Sequence, residues 1–270
     1  MKFLASKNEG PLVLFSVPFD STSSGFPGSK FAGNRIREAS IMLEEFSPLW
    51  VSSLEEVPFR DSGEIEVSCD TNKMLEEVEE TASSILSNEQ TFLMIGGEHT
   101  VTLGAVRACL KKFGKLRVIH LDAHADLRDS FENTKYNHAT VMRRVFEEGA
   151  ELFQLGIRSF SREEWEFVKT YKTLFDFADS IPSDLPIYIS VDLDVFDPAV
   201  FPGTGTPEPG GIFWDDFARF VKSIPWNKVV AIDVVEFSPL VEDKVSAILA
   251  AKVVRELILG WFSARISKLK

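Results

Sequence analysis

Residues 116–126 read LRVIHLDAHAD and place a short apolar run directly before three residues of metal-binding type. The run over 116–121 is continuous and rich in aliphatic side chains, which is typical of a strand buried on both faces of a parallel sheet. Ligands of open parallel sheets bind at the carboxyl ends of the strands, where Asp122, His124 and Asp126 would lie. The stretch therefore predicts both the class of fold and the edge of the sheet that carries a site.

Similar apolar runs alternate with amphipathic segments along the rest of the chain. The predicted strands span 12–17, 91–95, 116–121, 152–156, 187–191 and 229–234. The predicted helices span 34–46, 71–86, 101–113, 139–148, 162–169, 214–223 and 241–261. This alternation is typical of a parallel sheet covered by helices, and no proline- or serine-rich linker divides it. We predict one domain over residues 1–270, a three-layer α/β/α fold with a mostly parallel central sheet.

Composition and charge narrow the classes of partner. Forty-four per cent of the 270 residues are hydrophobic and 26% are charged, which suits a globular chain that buries its core without disulfides. The formal net charge of −12 repels nucleic acid and anionic membranes but attracts small cations. Cys69 and Cys109 form no CxxC motif, which fits a reducing compartment. The sequence offers neither a secretory signal nor a run of roughly 18 apolar residues, so we expect a cytoplasmic protein.

A cluster of carboxylates and imidazoles follows three of the predicted strands. Asp122, His124 and Asp126 are spaced i, i+2, i+4, so an extended chain would point all three side chains to one face. Asp192 and Asp194 repeat this spacing after the run 187–191, and His99 follows a Gly-Gly turn after 91–95. Taken singly, a DxD is more often a solvated turn and a lone histidine is more often a hydrogen-bonded core residue. Taken together, the residues predict a metal site.

The types of ligand indicate which metal. Two imidazoles, four carboxylates and no thiolate disfavour a structural zinc site and suit Mn²⁺, with Fe²⁺ or Zn²⁺ less favoured. Six donors exceed the needs of one ion, whereas two ions about 3.5–4 Å apart would use them all and would activate a water near neutral pH. The candidate ligands are His99, Asp122, His124, Asp126, Asp192 and Asp194.

Other motif interpretations fail on spacing. The acids over 192–197 lack the glycine and the terminal glutamate of an EF-hand loop. The glycine-rich stretch 203–211 lacks the GK[ST] ending of a phosphate-binding loop. The sequence also has no serine nucleophile elbow. Neither cysteine lies near a histidine at the end of a predicted strand, so a covalent nucleophile is not indicated.

Several segments together resemble the ureohydrolase family, the arginases and agmatinases. The likeness begins at VPFD over 17–20, reaches the final helix near residue 257, and rests on GGEHT at 96–100, DAHAD at 122–126, SVDLDVFDP at 190–198 and DVVEFSP at 233–239. At three positions the chain has Glu98, Thr100 and Asn137, where members of the family more commonly have Asp, Ser and Ser. The family's fold, which deacetylases share, is a three-layer α/β/α fold.

The resemblance implies a role for each matching residue. It assigns one manganese ion to His99, Asp122, Asp126 and Asp192, and the second to Asp122, His124, Asp192 and Asp194. Asp122 and Asp192 would bridge the two ions, and Asp126 would orient the attacking water. His138 would shuttle a proton to the leaving amine, and Glu236 would pair with the substrate guanidinium. Judged without the resemblance, Glu236 could be a strand-end ion-pair partner, His138 a residue at a helix start, and His120 a support for a ligand or part of the sheet.

The loops indicate which guanidine is cleaved. Residues 205–211 and 138–144 look more like agmatinases than arginases, which implies hydrolysis of agmatine to putrescine and urea in polyamine biosynthesis. Arg128 and Lys135 could still supply donors to a carboxylate. The alternative substrates are aminopropylagmatine, a longer cation, then arginine and guanidinobutyrate.

Hypotheses from other classes are weaker. A deacetylase would use one zinc ion and a catalytic tyrosine, whereas this chain has three tyrosines and two clusters of ligands. A catalytically silent metal-binding homologue would not need His138 and Glu236. The resemblance also implies a homo-oligomer, commonly a trimer or hexamer, with a small cationic guanidine as its other partner and neither nucleic acid nor membrane.

Overall fold

The computed structural model describes residues 1–266, and its strands form one large and one small sheet. In chain order the strands are β1 (Leu12–Ser16), β2 (Phe46–Ser47), β3 (Ser52–Ser53), β4 (Phe59–Glu64), β5 (Thr91–Ile95), β6 (Arg117–Leu121), β7 (Glu151–Leu155), β8 (Ile187–Asp192) and β9 (Val229–Val235). The large sheet has the order β4-β1-β5-β9-β8-β6-β7 and is parallel throughout. Strands β2 and β3 form a separate antiparallel pair.

Helices cover both faces of the large sheet. They are α1 (Ala32–Ser40), α2 (Thr71–Ser87), α3 (Thr102–Phe113), α4 (Val141–Glu147), α5 (Arg162–Tyr171), α6 (Trp214–Ser223) and α7 (Val245–Ile266). Because side chains alternate along a strand, Leu12 and Leu14 pack in a core with α1, α6 and α7, whereas Val13 and Phe15 pack in a second core with α2 to α5. The predicted three-layer α/β/α architecture is confirmed.

One strand of the large sheet escaped the sequence prediction. Strand β4 reads FRDSGE and lacks a continuous apolar run, because it lies at the edge of the sheet and pairs only with β1. A buried ion pair holds this edge strand to α1: Arg37 Nε lies 2.9 Å from Asp61 Oδ2, and both side chains are fully buried.

Two predicted helices differ most from their bounds in the structure. The segment predicted as helix over 34–46 is helical only to Ser40, because Phe46 pairs with Ser53 in the small sheet. The final helix begins at Val245 rather than at 241. Glu242 causes this late start, since its carboxylate accepts the backbone N–H groups of Lys244, Val245 and Ser246.

The order of the strands brings distant parts of the sequence to one edge. Strands β5, β9, β8 and β6 are neighbours in the middle of the sheet, although β6, β7 and β8 precede β9 in the chain. The residues that follow these four strands therefore meet at the carboxyl edge of the sheet. Over residues 1–266, no helix combines the length and the apolarity needed to cross a membrane.

Candidate metal centre and active site

Two groups of potential ligands lie at the carboxyl edge of the sheet. The first group contains His99, His120, Asp122 and Asp126, and the second contains Asp122, His124 and Asp194; within each group the donor atoms lie within 4.8 Å of one another. Asp122 belongs to both groups, as expected of a bridging ligand. All six predicted metal ligands are brought together.

The first group is centred on an imidazole nitrogen that has no hydrogen-bond partner. Nδ1 of His99 lies 3.1 Å from Asp122 Oδ2, 3.2 Å from Asp126 Oδ2 and 3.2 Å from Asp192 Oδ2. This nitrogen is buried and makes no hydrogen bond among the described residues. A buried polar atom without a partner is costly, whereas a cation among one nitrogen and three carboxylate oxygens would satisfy them all. The residues therefore fit a metal ion of the predicted type.

The second group surrounds His124. Nδ1 of His124 lies 2.9 Å from Asp194 Oδ2 and 3.6 Å from Asp122 Oδ1. The two oxygens of Asp122 thus face the two different histidines. Asp192 Oδ1 accepts the backbone N–H of Asp194 at 2.8 Å, which fixes the carboxylate beside the first group. Its predicted bridging role stays a prediction.

The charges of the cluster favour a cation. Burial and the negative charge of Asp122 raise the pKa of Asp192 and Asp194, and they raise the pKa of Asp126 to about 6. Burial opposes charge on His99 as well, but its three carboxylate neighbours raise its pKa well above the ordinary value. Without a cation the cluster therefore retains protons, which a metal ion would displace on binding.

A chain of buried polar groups fixes the orientation of His99. Ser190 Oγ donates to Asp233 Oδ1 at 2.7 Å, so at 2.8 Å from His99 Nε2 it must accept that nitrogen's hydrogen. Tyr188 and Thr102 donate their hydroxyl hydrogens to Asp233 Oδ2 at 2.6 and 2.8 Å. In the neutral ring that a metal ion requires, the lone pair of His99 is therefore on Nδ1 and faces the carboxylates. Sequence reasoning did not assign Asp233 a role, although an acid inside an apolar strand was a signal.

His120, on strand β6, supports Asp122 through a contact with its carboxylate. Its Nε2 lies 2.8 Å from Asp122 Oδ2, and its Nδ1 lies 3.0 Å from Gln154 Nε2. Both ring nitrogens already have partners, so His120 is a support of a ligand rather than a ligand. Of its two interpretations from the sequence, the structure favours this one.

Glu236 is connected directly to the first group. Its Oε1 accepts the backbone N–H of His99 at 2.7 Å, and its own N–H donates to Gly97 O at 2.9 Å. Oε2 receives no hydrogen bond from any residue the structure describes, and Glu236 lines the central cavity. Burial and the neighbouring Glu98 raise the pKa of Glu236 well above its ordinary value, so its carboxylate also favours a cation.

His138 lines the same cavity as Glu236 and lies in a single 3₁₀ turn over His138–Thr140. The backbone N–H of Ser24 points to His138 Nε2 at 3.3 Å, and the Ser24 hydroxyl lies 2.9 Å from the same nitrogen. Burial and the positive charges of His99 and His124 lower the pKa of His138 to about 4. The imidazole is therefore neutral at neutral pH and has one donor and one acceptor, as a proton shuttle requires.

Two residues that differ from the usual family motifs, Glu98 and Asn137, both contact the loop that contains Thr22. Glu98 accepts the backbone N–H of Thr22 at 2.8 Å and hydroxyl hydrogens from Thr22, Ser23 and Thr100. Asn137 donates its side-chain N–H to Thr22 O at 3.3 Å and caps the turn that carries His138. Both residues thus hold the segment that leads to Ser24.

Two predicted catalytic residues have left-handed backbone conformations. Asp126 has φ 54° and Glu236 has φ 64°, values that are uncommon outside glycine. Strand β6 ends at Leu121, so the expectation of one extended face over Asp122, His124 and Asp126 is wrong for Asp126. Its carboxylate reaches the cluster because the backbone turns there.

The cavity above the cluster has a volume of about 250 Å³, which suits a small molecule. Four predicted ligands and Glu236 form one part of its lining, namely His124, Asp126, Asp192, Asp194 and Glu236. The remaining lining residues are Ser24, Arg128, Phe131, His138, Ala139, Ser159, Phe160, Ser161, Glu164 and Thr206.

Comparison with known proteins supplies the family. Residues 11–260 match the model of the arginase family. The chain is 38% identical to an agmatinase of Bacillus cereus over 95% of this chain and 93% of that protein. It is 34% identical to the N(1)-aminopropylagmatine ureohydrolase of Thermococcus kodakarensis, over 93% and 90% of the two chains. The crystal structure of the agmatine ureohydrolase of Thermoplasma volcanium superposes with a TM-score of 0.88 at 35% identity, covering 98% of this chain and 96% of that one.

Proposed function

The chain belongs to the arginase family and is a metal-dependent hydrolase of guanidino compounds, and on this premise we propose that it hydrolyses agmatine to putrescine and urea with two Mn²⁺ ions. The observation that carries the proposal is the unpartnered Nδ1 of His99 among three carboxylates, one hydrogen bond away from Glu236.

The metal ligands are proposed as the resemblance assigns them. One ion is held by His99, Asp122, Asp126 and Asp192, and the other by Asp122, His124, Asp192 and Asp194. When bound, such ions would lower the pKa of a water in the site so that it could attack near neutral pH.

Glu236 binds the guanidinium of the substrate in this proposal. A guanidinium is a planar fork of donors that suits a carboxylate, and Oε2 of Glu236 is free to accept. The hydrogen bond from His99 N fixes the other oxygen, so the substrate carbon is held beside the ligands. Asp126 orients the attacking water and accepts its proton.

His138 delivers a proton to the departing amine. Ser24 and Asn137 hold the imidazole at the wall of the cavity. The neutral imidazole has a hydrogen on one nitrogen and a lone pair on the other, so it can give its hydrogen to the leaving nitrogen while the other nitrogen accepts one from solvent.

Two contacts support a substrate that lacks a carboxylate. The guanidinium of Arg128 lies over the ring of Phe131 at 4.7 Å and 3.7 Å from Glu164, so it already has partners. Lys135 lies 3.7 Å from Asp129 and does not line the cavity within the described residues. Lys135 is therefore engaged outside the cavity, and Arg128, although it lines the cavity, already has the negative charge of Glu164 beside it.

Aminopropylagmatine is the second candidate substrate. The relative from Thermococcus kodakarensis carries its name, and this longer cation would place its second amine at the wall of the cavity.

Metal reconstitution tests the activity. Mn²⁺-loaded protein should release urea from agmatine, and protein stripped with a chelator should not until Mn²⁺ is restored. Asp122→Ala, which lacks the carboxylate proposed to bridge the two ions, is treated identically as the matched control and should release no urea. Absence of urea from the fully loaded wild type would overturn the proposed function, and full activity in stripped protein would overturn the metal.

A cytoplasmic homo-oligomer, a trimer or hexamer, is also proposed. Large apolar side chains are exposed on either side of α1, at Phe31 and Met42, and close to the start of α7, at Leu240 and Val245. Light scattering during gel filtration would give the mass of the assembly, and a monomer would contradict this part of the proposal.

A further inference from the structure

We propose that Gln154 and Thr173 are positioning residues that fix the tautomer of His120 and thereby orient Asp122 for both metal ions. The inference rests on the proposed metal site. It does not depend on which guanidine is the substrate.

Gln154 and His120 are direct neighbours in the sheet. They are register partners on the adjacent parallel strands β7 and β6, and both are fully buried. The side-chain nitrogen of Gln154 lies 3.0 Å from His120 Nδ1, and His120 Nε2 lies 2.8 Å from Asp122 Oδ2.

The orientation of the Gln154 amide follows from two further contacts. Its Nε2 donates to the backbone carbonyl of Ala125 at 2.9 Å, and a carbonyl can only accept. Its Oε1 accepts the hydroxyl hydrogen of Thr173 at 2.8 Å. The amide nitrogen therefore faces His120, with one hydrogen for Ala125 and the other for Nδ1.

This arrangement leaves one tautomer for His120. Because Nδ1 accepts from Gln154, the neutral ring carries its hydrogen on Nε2 and donates it to Asp122 Oδ2. The backbone N–H of His124 donates to Asp122 Oδ1 at 2.6 Å. Oδ2 of Asp122 thus accepts from His120 and faces the ring of His99. Oδ1 accepts from the backbone of His124 and faces the ring of the same residue.

The opposite tautomer would disturb the site. Nε2 would then present a lone pair to a carboxylate oxygen 2.8 Å away, and the two atoms would repel each other. Asp122 would lose its preferred orientation and both ions would bind less tightly. Loss of such an outer partner typically lowers metal affinity by about 10–100-fold.

A nitrogen spectrum tests the tautomer directly. The chain has four histidines, so protein labelled with ¹⁵N-histidine gives four ring systems, and His120→Asn identifies the one from His120. In metal-free wild type we expect His120 to be protonated on Nε2 and bare on Nδ1. In Gln154→Met, which keeps the volume but donates nothing, we expect the Nδ1 resonance to move away from its wild-type position, because the lone pair of Nδ1 has lost its donor.

Calorimetry gives the second readout. Gln154→Met should bind Mn²⁺ about 10–100-fold more weakly than wild type. Thr173→Val, which removes one hydroxyl, should weaken binding in the same direction and serves if Gln154→Met does not fold. Thr170→Val is the matched control, because the Thr170 hydroxyl bonds only to the Glu166 carbonyl on the surface of α5.

Two results would overturn the inference. One is a wild-type His120 that carries its hydrogen on Nδ1. The other is a folded Gln154→Met or Thr173→Val whose Mn²⁺ affinity equals that of Thr170→Val. If the wild type binds two ions and shows the expected tautomer but releases no urea, the proposed function fails while this inference stands.

Discussion

The backbone N–H of His99 donates a hydrogen bond to Glu236 Oε1 over 2.7 Å. The carboxylate proposed to bind the guanidinium is thereby attached to the turn that carries a proposed metal ligand. The reverse contact, from Glu236 N to Gly97 O at 2.9 Å, closes the pair. A displacement of either residue therefore moves the other. The proposed sites for the substrate guanidinium and for the metal thus keep a fixed position relative to each other.

This connection predicts different results for two substitutions of Glu236. Glu236→Gln keeps an oxygen for His99 N but removes the charge, so kcat/KM should fall about 10–100-fold, in line with the 1.5–3 kcal/mol of a hydrogen bond to a charged group. Its metal content should equal that of wild type. Glu236→Ala removes the acceptor too and should also weaken metal binding. Steady-state kinetics with metal analysis would separate the two, and an unimpaired Glu236→Gln would refute the role of the charge.

Removal of the support behind His99 should lower metal affinity. Ser190→Ala leaves His99 Nε2 without its acceptor, and Asp233→Asn disturbs the group that orients Ser190. We expect Mn²⁺ to bind about 10–100-fold more weakly in either variant. Ser263→Ala, whose hydroxyl bonds a carbonyl within α7, is the control. Equal affinities in Ser190→Ala and Ser263→Ala would contradict the account.

The bridging role of Asp122 predicts a loss of both ions. Asp122→Ala should abolish activity and lower the bound metal, because the two oxygens face His99 and His124 separately. Asp192→Ala should do the same if Asp192 bridges as proposed. Metal analysis after gel filtration would measure this, and a wild-type metal content in either variant would exclude bridging by that residue.

His138 should affect turnover without affecting metal. It lines the cavity, and its Nε2 contacts Ser24 rather than a predicted ligand. His138→Ala should lower kcat by about 10²–10⁴-fold, the usual contribution of a proton-transfer group, while metal content is kept. A parallel loss of metal and activity would mean that His138 is a ligand or a structural support instead.

The start of α7 predicts a dependence of stability on pH. Although partial burial acts in the opposite direction, hydrogen bonds from Ser246, Lys244 and Val245 lower the pKa of Glu242 to about 2. A lowered folded-state pKa means that the stabilisation is complete above the unfolded pKa of about 4.3 and is lost as the pH falls toward 2. The Tm difference between wild type and Glu242→Gln should therefore be constant from pH 7 to 5 and shrink below pH 4. A difference independent of pH would show that the charge of Glu242 contributes nothing.

The predictable parts of this molecule are those encoded locally. Central strands such as β6 and β8 are continuous apolar runs, and the ligands follow them directly in sequence. Strand β4 was missed because an edge strand needs no such run. The left-handed turn at Asp126 was missed because its cause is tertiary.

The contacts behind the ligands could not be predicted, because they join residues that only the order of the strands brings together. Gln154 meets His120 across β6 and β7, and Asp233 meets Ser190 across β9 and β8. Nothing within either segment indicates the partner. The sequence shows that Glu98 and Asn137 differ from the usual family residues. It does not show that both contact Thr22, because only the fold brings the three residues together.

The most direct test of the central claim is a comparison of kcat/KM for agmatine, aminopropylagmatine, arginine and guanidinobutyrate on the same Mn²⁺-loaded protein, followed by urea release. The account predicts that agmatine is cleaved with the highest kcat/KM and that the substrates with a carboxylate are poor. A higher kcat/KM for arginine would contradict the assignment of the substrate while leaving the metal ligands and Glu236 in place.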